Sequence, residues 1–267
     1  MEVHKHPHHV THKKKWTEYL LEFFMLFLAV FLGFVAENIR EHSVEKKRLR
    51  DYMQQMIENI KADTSRCKNA LVYNVNSSKN LDSLRYEINS AVKGNANTNR
   101  MYYLYIVRTV TFSSVHFKQG AITQLKSSGN MRLIENKTLT NEILEYYDRW
   151  VVHLMLTRND VSEELKALNQ MTLNFFNLNY FDENIKRDTT FSYSNVDRSD
   201  EYFNAALSRI PQLSLLNNNA QDLQKLNNTL ADFEETLHGY NSYLRVAQNL
   251  GDSLISHIQK EYHLENE

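Results

Sequence analysis

The sequence predicts an all-α protein, an N-terminal transmembrane helix continuing into a long antiparallel helical bundle. Three observations carry that reading. Phe23 to Ala36 is fourteen residues without a polar side chain. Only six glycines and two prolines interrupt 267 residues, so long helices meet few breakers. Near the C-terminus, Leu223, Leu226, Leu230, Phe233, Leu237, Tyr240, Leu244 and Ala247 alternate three and four apart, a heptad seam. The expected organisation is a His/Lys-rich cytoplasmic tail over 1–15, a membrane anchor over 16–40 and a bundle over 41–267.

The tail, MEVHKHPHHVTHKKK, is polar. His4, His6, His8, His9 and His12 are of the type that binds transition metals. Nothing in the tail fixes ligand geometry, so it reads as a weakly cationic segment at a membrane surface. The anchor follows. With Leu20 and Leu21 the apolar run reaches about 25 Å, a little short of the roughly 30 Å hydrocarbon core. Trp16 and Tyr19 suit one interface, with Lys13, Lys14 and Lys15 just outside it. Glu37, Asn38 and Arg40 mark the other end. A cleaved signal peptide fits poorly, since cleavage after Ala36 would leave bulky Phe34 where a small residue is wanted. Cations flank both sides of the span. The lysine triplet lies nearer the hydrocarbon, whereas Arg40, Lys46, Lys47, Arg48 and Arg50 interleave with acids. The reading adopted is a single-pass inner (cytoplasmic) membrane protein with its N-terminus inside and its bundle periplasmic.

Within the span, Glu22, Ala29, Gly33 and Ala36 share one face. Ala29 and Gly33, one turn apart, let a second helix approach closely, and a carboxylate at that depth gains from a partner. An interfacial Glu22 on a lipid-facing helix is the plainer alternative. After the anchor, Leu49, Met53, Met56, Ile60 and Cys67 form a one-sided stripe, followed by Leu81, Leu84, Ile88 and Ala91. Gly94 to Asn99 is read as a turn. Arg100 to Val110 is read as a tyrosine-rich helix, Thr111 to Ser114 as irregular, and Phe117 to Lys126 as a short helix. Gly129 suits a left-handed position after that helix, and Asn136 can cap the next. That next helix carries Leu139, Ile143, Tyr147, Trp150, Leu154, Leu165, Leu168 and Phe175 and runs to about Leu178. Asp182 to Asp200 is a polar loop, and Glu201 to Ile210 a short helix stopped by Pro211. The final seam could pair between chains as a coiled coil; among several long helices the intramolecular bundle is expected.

Composition excludes some chemistry. Residues 1–15 contribute four lysines and one glutamate, leaving −4 for the rest of a chain whose net charge is −1. No basic face argues for nucleic acid. The single Cys67 rules out a disulfide framework and any Cys-based zinc site. Glu235-x-x-His238 has di-iron spacing but lacks a second such pair, so a solvated helix face is the simpler account. No metallohydrolase, phosphate-loop or nucleophile-elbow motif is present. No catalytic, cofactor-binding or metal residue is therefore assigned.

EYLLEFFMLFLAVFLGFVAENIREH, the preceding HKHPHHVTHKKK, the internal LKSSGNMRLIENKTL and the terminal IQKEYHLENE resemble an uncharacterised family of single-span membrane proteins from Bacteroidota. The resemblance implies membrane anchoring and a native histidine tail, and no activity. The expected role is non-enzymatic: scaffolding or assembly, with the bilayer and a homo-oligomer or membrane-protein partner. The alternative is a ligand-binding sensor domain signalling through a partner. A third possibility is an enzyme whose site is assembled from scattered residues.

Overall fold

The computed structural model describes residues 15–105, 111–179 and 212–264. The chain divides into two compact units, Met1–Asp51 and Tyr52–Glu267. Among the described residues every regular element is helical. The expected loop and short helix between 182 and 210, and the histidines of the tail, lie outside the described residues.

Helix α1 runs from Trp16 to Val92. In the first unit it displays its apolar side chains on every side. Its most apolar 18-residue window has mean hydropathy 2.3, and none of that window is buried. The helix is thus long and apolar enough to cross a membrane. Phe23, Phe27 and Phe31 stack along one side, with ring centroids 6.5 and 6.2 Å apart.

In the second unit α1 is a core helix. Met53, Met56, Ile60, Leu81, Leu84 and Ile88 are fully buried, as the two stripes predict. Gly94, at φ +85°, ends α1 in a Schellman motif: its N–H bonds the Ala91 carbonyl and that of Asn95 bonds Ser90. Asn97 then caps α2 (Thr98–Leu104), which starts two residues earlier than expected; residues 106–110 are not described. Helix α3 (Gly120–Ser127) and a 3₁₀ turn (Asn130–Leu133) follow, joined through Gly129 at φ +71°. Asn136 caps α4 (Lys137–Leu144) by accepting from the Leu139 amide at 3.1 Å. A π-helical turn, Glu145–Val151, links α4 to α5 (Val152–Thr172). The last helix, α6, spans Ala220–Tyr262, and Asn219 caps it through the Gln221 and Asp222 amides.

Side-chain pairs fix the topology. Asn74 meets Asn241, Arg85 meets Glu234 and Asn89 meets Asn227, so α6 runs antiparallel to α1. Glu142 meets His257 and Glu164 meets Thr236, so α6 is antiparallel to α4 and α5 as well. The heptad seam of α6 is the axis of this arrangement. Leu226, Leu230, Leu237 and Leu244 are fully buried against α1 and α5 side chains in one cluster, each worth about 1.5–3 kcal/mol of transfer free energy.

Residues 111–119 form no regular structure and lie as a strap on the bundle. The expected helix from Phe117 begins only at Gly120. Backbone groups in a strap have no helical or sheet partners, so side chains must supply them. Asn74 does so twice: its Oδ1 accepts from the Ser113 N–H at 2.7 Å and its Nδ2 donates to the Ser113 carbonyl at 3.2 Å. Ser77 donates to the Thr111 carbonyl, the Tyr240 hydroxyl accepts from the Val115 N–H, and Asp63 accepts from the Lys118 N–H. Asp63, Asn74 and Ser77 of α1 and Tyr240 of α6 are thus the strap's partners.

Candidate functional site

The π turn has chemistry on both sides. A turn closed by i→i+5 bonds uses more residues per revolution than the 3.6 of an α-helix. The inward position after Tyr147 therefore falls at Val151, which is fully buried, and not at Trp150. This corrects the α-helical reading, which placed Trp150 on the core stripe and ran one helix to Leu178; the helix ends at Thr172.

Inside the turn, Tyr146 and Tyr147 meet edge to face at 4.9 Å and are buried, yet neither hydroxyl has a hydrogen-bond partner among the described residues. Burial pushes both phenols well above the ordinary tyrosine range. Cys67 is buried in the same cluster of interacting groups; burial, reinforced by the charges of Asp63 and Asp252, pushes its thiol up to about 12. A thiol so protonated at neutral pH is not a nucleophile. The Asp63 carboxyl is raised by burial, opposed by the Lys118 amide and by the Arg66 guanidinium at 2.8 Å. These groups hold their protons or their structural partners. Asp63 fixes the strap, and the two phenols pack against each other.

Outside the turn, two hollows lie between helices α4–α5 and α6. The smaller, of about 340 Å³, is lined by Thr138, Asn141, Glu142, Glu145, Tyr146 and Leu250, with Ser253 and Leu254. At its edge His257 Nδ1 lies 2.7 Å from a Glu142 carboxylate oxygen. The larger, of about 480 Å³, is lined by Asp148, Arg149, Trp150, Val152, His153, Leu156 and Tyr243. Here Trp150 and Tyr243 meet at 6.3 Å and 48°, and His153 stands edge-on to Tyr243 at 4.4 Å. The indole is held in place: its N–H donates to Glu145 Oε1 at 3.2 Å, and the same oxygen accepts from Arg149 at 2.9 Å. The Arg149 guanidinium lies 5.5 Å from the indole centroid. Lys126 pairs with Asp148. Val152, Met155 and Leu156 continue outward as an apolar patch, 45%, 37% and 58% exposed.

None of the residues singled out in the span lines either hollow. Glu22, Ala29, Gly33 and Ala36 are all exposed on α1, and a Cβ built on Gly33 would meet nothing within 4 Å. Of the Glu235-x-x-His238 pair, both members are exposed, while the neighbouring Glu234 turns inward to Arg85. No group of three or more His, Cys, Asp or Glu placed to hold a metal ion occurs among the described residues. The aromatics near 102–117 and 175–176 pack: Tyr105 stacks on Phe176 at 4.2 Å, and Tyr102 meets the same ring edge-on at 5.1 Å. Sequence reading missed the larger hollow because Tyr243 and Trp150 lie on different helices and only the π turn brings the indole outward. No protein-family model matches the chain, and neither a curated protein nor a solved structure shows detectable similarity to it.

Proposed function

We propose that this chain is a membrane-anchored scaffold, a non-enzymatic interaction and assembly protein of the inner membrane with its bundle on the periplasmic side. The supporting observation is where apolar surface is spent. The bundle core is closed by fully buried aliphatic and aromatic side chains, while the span and the Val152–Met155–Leu156 patch point outward. Contiguous outward apolar surface marks sites that engage lipid or protein. In the span, the face of Glu22, Ala29, Gly33 and Ala36 meets a second helix, from another copy or a membrane partner, because small residues permit close backbone approach where lipid gives no hydrophobic drive. The Bacteroidota resemblance belongs to the same reading.

The protein is expected in the membrane fraction after carbonate washing, and single-cysteine variants along residues 22–40, in a Cys67→Ala background, should crosslink with helical periodicity peaking at Ala29 and Gly33. Gly33→Leu should abolish those crosslinks. Soluble full-length protein would refute the anchor; crosslinks peaking on the Phe27 and Phe31 side would refute the face. A second reading, a ligand-binding sensor, is favoured by one feature only, the aromatic hollow beside the π turn.

A further inference from the structure

We propose that the hollow between the π turn and α6 is a saccharide-binding site, its floor the paired rings of Trp150 and Tyr243. This goes beyond the scaffold reading and does not depend on it. What the lining still has to offer defines the ligand. Its formal charges are already matched: Asp148 pairs with Lys126, and Arg149 with Glu145. An ionic ligand would therefore compete with a partner that is already in place. Hydrogen-bonding capacity is left over: the Tyr243 hydroxyl and the His153 ring nitrogens make no hydrogen bond among the described residues. The unused apolar area is aromatic and pre-positioned, since Glu145 fixes the indole through its N–H. A ligand that uses this capacity without competing for either pair is uncharged, has an apolar face to lie on the rings and has hydroxyls at its edge. A pyranose has all three properties. The volume, about 480 Å³, falls in the range of about 300–1,000 Å³ usual for small-molecule sites, and the hollow lies open on one side of the bundle, so a longer glycan can enter laterally. Arg149, 69% exposed and resting over the indole, can swing to donate to ring hydroxyls without losing its charge partner.

Trp150 is also the natural reporter. The chain has two tryptophans, Trp16 and Trp150, so a Trp16→Phe variant reports from the hollow alone. The experiment titrates this full-length variant, in lipid nanodiscs free of glycoside detergent, with maltotriose and with N,N′,N″-triacetylchitotriose, following Trp150 emission. Tetramethylammonium and p-cresol serve as cationic and aromatic comparators. The expected result is a saturable emission change with at least one trisaccharide, weakened about tenfold or more by Tyr243→Ala and only a few-fold by Tyr243→Phe, which keeps the ring and loses the hydroxyl. Thermal unfolding of both variants, compared with the parent, establishes that they are folded; the phenylalanine variant serves as the test if the alanine variant is not. No saturable response to either sugar overturns the proposal. So does a response to tetramethylammonium or p-cresol that equals the sugar response, or a sugar response unaffected by either Tyr243 substitution.

Discussion

Asp63 shows how much one residue can be asked to do. Its carboxylate is fully buried and fastens the strap through the Lys118 amide while pairing with Arg66. Burial outweighs those partners and holds the carboxyl above its ordinary range. The folded chain thus keeps this proton to higher pH than the unfolded chain, whose aspartates titrate near about 3.9. Between those two values the native state binds more protons, so this group's contribution to stability falls as pH rises and levels off above the folded value. Asp63→Asn keeps an acceptor for the Lys118 amide and removes the titration. The stability of the parent relative to Asp63→Asn should therefore decline from about pH 4 upward and then become constant. Urea midpoints at a series of pH values measure it; a difference growing with pH would refute the sign. Gly251 makes a second claim at this scale. A Cβ there would lie 2.6 Å from Thr64 Cγ2 and 3.0 Å from Ile60 Cγ2. The β-branched threonine has little rotamer freedom to move its methyl away. Gly251→Ala should cost about 1–3 kcal/mol by overpacking, against about 1 kcal/mol gained in helix propensity. Thr64→Ser removes the methyl, so the alanine should be less costly in that background by about 1 kcal/mol or more. Additive effects in the double variant would show that the two sites do not touch.

At the scale of elements, the π turn decides which face of α4–α5 is buried. Its register separates it from a plain α-helix. In the plain helix Trp150 is core and Val151 is not; in the structure Val151 is core and Trp150 lines a hollow. Val151→Asp should thus bury an unpaired carboxylate, costing several kcal/mol out of the roughly 5–15 that hold a domain folded. Trp150→Asp should cost about 1 kcal/mol or less and leave unfolding cooperative. Equal losses by circular dichroism melting would return the turn to α geometry. The legibility of elements follows from the range of the forces behind them. The caps at Asn136 and the left-handed Gly129 are set within four residues and were readable. The α6 seam was readable because each of its residues faces the same core. The π turn was not, because a wide turn and a narrow one permit the same apolar spacing until a neighbouring helix chooses between Trp150 and Val151. The strap was only half readable. Thr111 to Ser114 shows poor helix composition, but Phe117 to Gln119 are kept out of helix by Asp63, more than fifty residues away.

At the scale of the molecule, the sequence pattern carried the helical class and the apolar span, since both follow from composition repeated over many residues. It did not carry the hollow, which needs Trp150 and Tyr243 from two helices, or the two phenols at the π turn that have no hydrogen-bond partner among the described residues. The strap has a further consequence, which concerns the order of events in folding. Its amides and carbonyls are gripped from two helices at once: Asn74 and Ser77 on α1, Tyr240 on α6, with Asn241 holding Asn74 in place at 2.9 Å. The Tyr240 bond and the support of Asn74 by Asn241 exist only once α1 and α6, 167 residues apart at that pair, are side by side, so the grip is complete only then. A grip completed only after the two helices meet is expected to form late, and contacts made after the rate-limiting step have φ near zero. Asn74→Ala is expected to leave the refolding rate unchanged within about twofold and to speed unfolding by the whole of the stability it removes. A chevron in which the refolding arm moves instead would mean that the strap guides the two helices together.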